Sequence, residues 1–149
     1  MSLTYAFNGD ADGLCALQQL RLASPGVGQG AVALVSGVKR DIALLERVTG
    51  VPGDECTVLD VSLDVNRAGL LALLEAGTSV RYFDHHFAGQ LPQHPKLEAH
   101  INPDAKVCTS ILVDQLLGGR FRTCRGVRDL AFAPAVDTNF GSRVRTFFP

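Results

Sequence analysis

The chain of 149 residues is long enough for one α/β domain with a substantial core and too short for two large domains. Hydrophobic residues make up 46% of it, which argues against disorder, and the net charge of −1 argues against a strongly basic surface that binds nucleic acid non-specifically. No apolar stretch reaches the length of a membrane span and no secretory signal is visible, so we expect a cytoplasmic protein with no membrane partner and four reduced, dispersed cysteines.

The first predicted unit consists of a strand, an acidic loop and a helix. The strand over residues 3–7 is short, apolar and aromatic, and the helix over residues 14–23 carries leucines near helical spacing. Between them lies the turn-rich stretch Asn8-Gly9-Asp10-Ala11-Asp12-Gly13. The helix is predicted to end at Ser24-Pro25-Gly26.

The second unit begins with an apolar run over residues 31–38 that is typical of a buried strand. Lys39 and Arg40 follow it directly. A helix is predicted over residues 42–48, and Asp41 is well placed to be its N-cap.

The third unit is a strand over residues 56–61, with Asp60 near its end, followed by a helix over residues 66–76. Asp64 is the predicted N-cap of this helix, and Gly77 is predicted to end it.

The fourth unit is a strand over residues 79–83, followed at once by Asp84-His85-His86. Residues 87–104 are rich in proline and histidine and are predicted to form a loop. A last buried helix is predicted over residues 109–117, closed by Gly118-Gly119.

Four consecutive strand–helix units with continuous apolar strands predict a doubly wound α/β fold, a parallel β-sheet with helices on both faces. Ligands of such sheets lie beyond the carboxyl ends of the strands. A short acidic or histidine motif on its own is more often a turn, a cap or a surface feature. Here successive strands bring such groups to the same edge, and these groups are Asp10, Asp12, Lys39, Arg40, Asp60, Asp84, His85 and His86.

Carboxylates crowded at one edge repel one another, and their pKa values rise unless a cation neutralises them. Oxygen ligands with one or two imidazoles suit Mn²⁺ better than Zn²⁺, and Mg²⁺ is the alternative ion, although it usually keeps more of its water. Two divalent ions roughly 3.5–4 Å apart can activate a water and neutralise a phosphate during an in-line displacement. The pattern therefore indicates a site for divalent metal ions, and such a site is suited to chemistry on a phosphate.

The triplet Asp84-His85-His86 after an aromatic strand, with the acidic stretch over residues 8–13 upstream and Asp60 between them, resembles the DHH phosphoesterase superfamily. The resemblance covers roughly residues 3–117, and the three motifs in this order are specific together. It implies a manganese-dependent hydrolase that cleaves a phosphoester of a nucleotide, another phosphorylated small molecule or a short oligonucleotide by a two-metal mechanism.

The resemblance also implies a role for each site residue. The implied metal ligands are Asp10 and Asp12, one for each ion, Asp60 as the bridge between the ions, and His85. His86 would face the scissile phosphate, as a hydrogen-bond donor or as a general acid. Asp84 would orient the metal-bound His85 from behind.

The chain departs from the family pattern at both ends. Many members carry a histidine just upstream of the first aspartates, and this sequence has none there. The family's fourth motif is an aspartate about fifty residues after the triplet; Asp137 resembles it, and Asp129 is the competitor. We therefore expect Asp137 to complete the second metal site.

Residues 1–123 are expected to form the catalytic core, and residues 124–149 an atypical arginine-rich tail. From Arg120 to Pro149 there are six arginines, with no lysine and no glutamate. The tail either completes the domain through Asp137 or is the product of a truncated or altered reading frame. Nothing in it resembles the family's second, substrate-binding domain, which is expected to be absent.

Several residues and functions stay open at this level. Lys39 and Arg40 bind a substrate phosphate or lie at a solvated strand end, and Thr109 and Ser110 contact substrate or cap a helix. The alternative function is a truncated, largely inactive domain that binds metal or nucleotide, and a homo-oligomer is compatible with the sequence. A hydride-transfer enzyme is disfavoured because aspartates between the loop glycines would repel a pyrophosphate.

Overall fold

The structure, a computed structural model, describes residues 2–24, 32–37 and 42–120. These residues contain a five-stranded parallel sheet with the strand order β2-β1-β3-β4-β5. The strands are β1 (Leu3–Asn8), β2 (Val32–Gly37), β3 (Glu55–Leu59), β4 (Ser79–Asp84) and β5 (Leu97–Ile101). The helices are α1 (Ala11–Ala23), α2 (Leu63–Glu75) and α3 (Thr109–Leu116), and a 3₁₀ turn spans Leu44–Arg47.

Helices cover both faces of the sheet, each over its own apolar core. α2 and the 3₁₀ turn cover one face, where Val58, Leu70 and Tyr82 are buried. α1 and α3 pack against each other over the second face, where Phe83 and Val113 are buried. The predicted α/β fold with a doubly covered parallel sheet is thereby confirmed.

The strand order places the carboxyl ends of β1 and β3 side by side in the middle of the sheet. After β1 the chain forms β2 on one side, and it then returns to form β3, β4 and β5 on the other side. Such a reversal of direction opens a crevice beyond the two neighbouring strand ends, and doubly wound proteins bind their ligands there. Residues directly after β1 and β3 therefore lie at the position that the topology favours for a site.

The helix predicted over residues 42–48 is a single 3₁₀ turn, so this prediction is wrong. The buried side chain of Asn66 on α2 explains the difference. Its Oδ1 accepts the amide of Leu45 at 3.0 Å, and its Nδ2 donates to the carbonyl of Ile42 at 2.6 Å. Because both backbone groups are bonded to α2, they are withdrawn from the hydrogen-bond pattern of an α-helix.

The loop predicted over residues 87–104 contains the additional strand β5, which sequence reasoning missed. Its apolar residues pack against the core beneath α2, and they alternate with more polar ones. These inward residues are Leu97, Ala99 and Ile101. The alternation is a strand signal, but it spans only five residues inside a segment whose prolines favour a loop.

Helix ends differ from the predicted ones at two positions. α1 begins at Ala11 because Asp10 is its N-cap, and α2 begins after Ser62, so Asp64 lies in the first turn and is not the cap. The predicted end of α2 is confirmed, since Gly77 has a φ of +86° and donates its amide to Leu74. Asp41, the predicted N-cap of the second helix, lies outside the described residues.

β2 is less buried than its apolar sequence predicts. It pairs with β1 at the edge of the described sheet, and its side chains are exposed or half-buried. Val32 and Leu34 in particular are exposed. Among the described helices, none is long and apolar enough to cross a membrane.

Candidate metal centre

Six residues predicted for the site lie at the carboxyl end of the sheet. Asp10 and Asp12 form the start of α1 directly after β1, Asp60 follows β3, and the triplet begins at the last residue of β4. The remaining predicted site residues, Lys39, Arg40 and Asp137 together with its competitor Asp129, lie outside the described residues. Their proposed roles stay predictions.

Asn8, the last residue of β1, joins two of the carboxylates. Its Nδ2 donates to Asp10 Oδ2 at 3.0 Å and to Asp60 Oδ2 at 3.1 Å. Sequence reasoning did not select this residue, although an amide directly after an apolar strand and two positions before an aspartate was the available signal. One amide group therefore keeps the two carboxylates close together.

Asp10 is fixed by the start of α1. Its Oδ1 accepts the backbone amides of Asp12 and Gly13 at 3.0 and 3.1 Å, which is the geometry of an N-cap. A side chain at Gly13 would collide with the carbonyl of Asn8, so glycine is required for the helix to begin this close to β1. Cap and candidate ligand are thus the same side chain, with Oδ2 turned toward Asn8 and Asp60.

Asp12 is buried and bonded to the N-terminus of α3. Its Oδ2 accepts the amide of Thr109 and its Oδ1 accepts the amide of Ser110, both at 2.8 Å. The amides at a helix N-terminus and the helix dipole favour a negative charge there. The start of α3 therefore stabilises the Asp12 carboxylate. From the sequence, Thr109 and Ser110 were expected to contact substrate or to cap a helix. The structure adds a third role, because their backbone amides bind Asp12.

Asp60 lies at the centre of the cluster, with only 2% of its surface exposed. It has a φ of +59°, and no other non-glycine residue in the described ranges has a positive φ. A left-handed backbone costs energy for residues with a side chain and is found disproportionately at functional sites. Its Oδ1 accepts the Thr109 hydroxyl at 3.0 Å and lies 3.3 Å from His85 Nε2.

Burial raises the pKa of Asp60 to about 6, from its ordinary value of 3.8. The His85 hydrogen bond opposes this shift, while the negative charges of Asp12 and Asp10 add to it. Crowding of like charges in a poorly solvated place therefore disfavours the ionised carboxylate. A divalent cation would remove this penalty because it favours the charged form.

His85 faces two of the carboxylates. Its Nε2 lies 3.3 Å from Asp60 Oδ1 and 4.0 Å from Asp12 Oδ2. The hydrogen bond to Asp60 raises the pKa of His85 above its usual 6.5, against an opposing effect of burial. Without a metal, the geometry therefore favours a shared proton between His85 and Asp60.

Asp84 contacts a different ring from the expected one. Its fully buried carboxylate bonds His86 Nδ1 at 2.6 Å and accepts the backbone amide of His85 at 2.9 Å through the same Oδ1. The ring that Asp84 orients is therefore that of His86, whereas the expected ring was that of His85. The hydrogen bond with Asp84 raises the pKa of His86, against the effect of burial.

The arrangement fits a divalent cation. One ligand atom from each of Asp60, His85 and His86 can be chosen so that all three lie within 4.8 Å of one another. A cation that binds oxygen and nitrogen at about 2.0–2.2 Å keeps neighbouring ligand atoms about 3.0–3.5 Å apart. The separation of 3.3 Å between Asp60 and His85 has this size.

No protein-family model matches the chain, and no curated protein matches its sequence. Among solved structures, the chain is similar to RecJ from Thermus thermophilus in complex with Mn²⁺, with a TM-score of 0.47 and 24% identity, over 78% of this chain and 18% of that one. It is also similar to the exonuclease RecJ bound to manganese, with a TM-score of 0.45 and 23% identity, over 78% of this chain and 34% of that one. The chain thus spans less than two thirds of the length of either structure.

Proposed function

We propose that the chain is a metal-dependent phosphoesterase that hydrolyses a phosphoester of a nucleotide or short oligonucleotide, with Mn²⁺ as its ion. The observation that carries this proposal is the buried, left-handed Asp60 with His85 at 3.3 Å and two further carboxylates beside it. The resemblance of the three motifs to the DHH superfamily supports the same function. Mg²⁺ is the alternative ion.

The proposed ligands are divided between two ions. Asp10 and Asp12 would each hold one ion, Asp60 would contact both, and His85 would complete one of the sites. Asp137 is the proposed additional ligand, while Lys39 and Arg40 would bind a substrate phosphate. Two bound cations would lower the pKa of a water molecule and neutralise charge on the phosphate.

Although His86 lies close enough to Asp60 and His85 to be a third metal ligand, it is proposed to act on the substrate directly. Because its Nδ1 bonds Asp84, its Nε2 is left for a non-bridging phosphate oxygen or for the leaving oxygen. The raised pKa keeps this ring protonated to higher pH than a free histidine, which favours donation of a proton from Nε2. The buried carboxylate of Asp84 holds the ring in place for this contact.

The test is hydrolysis of a chromogenic phosphodiester by the 149-residue chain, with EDTA, with Mn²⁺ and with Mg²⁺. We expect turnover that requires the metal, is higher with Mn²⁺, and is lost in Asp60→Asn. Asp64→Asn is the matched control, since the same change is made at a side chain that is 62% exposed on α2. Mn²⁺ binding without turnover would favour the alternative, a largely inactive metal-binding domain, and absence of both would refute the proposal.

A further inference from the structure

Phe87, the residue directly after the triplet, is unusually exposed. It is 76% exposed, the largest value among the large hydrophobic side chains of the described residues. Isolated exposed hydrophobic residues are common on protein surfaces, so exposure alone assigns no role. The position of Phe87 and the way its loop is held distinguish it from the others.

The loop that carries Phe87 is held by hydrogen bonds both before and after this residue along the chain. On one side, His86 is held by Asp84. On the other side, Arg67 of α2 donates to the carbonyl of Ala88 at 2.6 Å and to the carbonyl of Gln90 at 2.7 Å. Ala88 itself is buried in the core beneath α2. The backbone that carries the exposed ring is therefore anchored from the α2 side of the sheet.

Gly89, two positions after Phe87, is suited to this conformation of the loop. Gly89 has a φ of +62°, and a side chain there would come within 3.3 Å of the Arg67 guanidinium. Glycine adopts this conformation without strain and leaves space for the clamp formed by Arg67. An aromatic ring on a backbone ordered in advance loses little further freedom when a partner binds to it.

We propose that Phe87 is a stacking platform for a nucleobase of the substrate. This inference rests on the proposed function, because it takes His86 as the residue that faces the scissile phosphate. The Cα atoms of consecutive residues lie about 3.8 Å apart, so the exposed Phe87 is carried by the backbone directly next to the residue proposed to face the phosphate. Every nucleobase presents a π-face, and aromatic side chains stack on such faces without strong sequence preference. The platform therefore selects substrates that carry a base next to the cleaved ester.

A fluorescence measurement tests the platform independently of turnover. The chain contains no tryptophan, so Phe87→Trp introduces a single indole at the proposed stacking position. Titration with thymidine monophosphate in the presence of Mn²⁺ should quench this indole, and titration with the abasic deoxyribose phosphate should not. Val51→Trp is the control, since this 60% exposed position precedes β3 at the opposite end of the sheet.

Hydrolysis of a thymidine dinucleotide and of its abasic counterpart gives a second readout. Stacking is worth about 1–3 kcal/mol per base, so Phe87→Ala should lower kcat/KM for the dinucleotide roughly 5- to 150-fold and leave the abasic substrate unchanged. Phe87→Trp should retain the rate, whereas Phe87→Leu, which is apolar but not aromatic, should not. Equal losses on both substrates would overturn the platform.

The two proposals fail in distinguishable ways. Base-dependent quenching in a chain without Mn²⁺-dependent turnover would refute the hydrolase and leave the platform standing. Turnover on both substrates, without quenching and without an effect of Phe87→Ala, would refute the platform alone. A change in sedimentation of Phe87→Ala would assign the ring to contact with a second copy of the chain and would likewise overturn the platform.

Discussion

Asp60→Asn is expected to stabilise the metal-free protein while it removes metal binding. Burial raises the pKa of Asp60 from 3.8 to about 6, and a pKa unit corresponds to about 1.4 kcal/mol, so ionised Asp60 costs the folded state about 3 kcal/mol above pH 6. Asparagine has the same shape and tolerates the left-handed backbone. The asparagine amide group, however, points its N–H donor at the donor group of either Asn8 or Thr109. This mismatch of two donors costs about 1 kcal/mol. The variant also removes the hydrogen-bond partner that raises the pKa of His85, so the expected net gain is at most about 2 kcal/mol.

The sign of the pH dependence follows from the raised pKa. Between about pH 4 and pH 6 the folded protein keeps a proton on Asp60 that the unfolded chain has released. The stability of the wild type therefore falls as the pH rises through this range. Asp60→Asn lacks this titration, so its advantage should be near zero at about pH 4 and complete above about pH 7.

The measurement is chemical and thermal denaturation at pH 4 and at pH 7.5, with EDTA, and then with Mn²⁺. At pH 7.5 in EDTA the variant should melt roughly 5–10 °C above the wild type. Mn²⁺ should stabilise the wild type and leave the variant unchanged, because Asp60 is the proposed contact to both ions. Asp64→Asn removes only an exposed ion pair with Arg67 and should stay within about 1 kcal/mol of the wild type in every condition. A variant that is less stable than the wild type in EDTA at pH 7.5, or that binds Mn²⁺ equally well, would refute the reasoning.

Four further outcomes are expected. His86→Ala removes the partner of the buried Asp84 carboxylate and should lower the melting temperature, but the folded variant should keep its Mn²⁺ affinity and lose roughly 10²–10⁴ in turnover per folded molecule; a loss fully explained by unfolding of the same preparation would contradict this. Thr109→Val removes a hydroxyl donor from Asp60 and should weaken Mn²⁺ binding about 10- to 100-fold by calorimetry, whereas Thr109→Ser should not. Mn²⁺ affinity should fall as the pH is lowered through about 6, because protons on Asp60 and His85 compete with the ion, and a pH-independent affinity would exclude both as ligands. Deletion of residues 124–149 should lower the Mn²⁺ stoichiometry if Asp137 is a ligand, and an unchanged stoichiometry would exclude that role.

The central strands and the edge of the sheet that carries the site could be predicted from local sequence. Their apolar runs end in charged residues, and the parallel topology then brings those residues together. Local patterns could not reveal contacts between distant parts of the chain. The bond between Asn66 and Leu45, which prevents an α-helix, spans 21 positions, and the bond between Asp12 and Thr109 spans 97.

The directions of the side chains at the end of β4 could not be predicted from the sequence either. The order Asp84-His85-His86 shows that a carboxylate can orient an imidazole, but it does not show which one. In the structure the ring that Asp84 reaches is two positions away, while the intervening His85 contributes only its amide. Neighbouring residues at a strand end point in different directions, and the backbone after the strand decides which of them meet.

The three carboxylates beside β1 and β3 differ in what balances their charge. Asp10 accepts two amides at the start of α1, and Asp12 accepts two amides at the start of α3, so helix N-termini favour both negative charges. Within the described residues, the Asp60 carboxylate accepts its hydrogen bonds from the side chains of Asn8 and Thr109 and from no helix N-terminus, and burial raises its pKa. A proton shared between Asp60 and His85 would therefore supply positive charge at this carboxylate in the absence of metal. A divalent cation that displaces this proton would find its ligands already positioned, so metal binding is expected to exchange protons for the ion with little rearrangement of the fold.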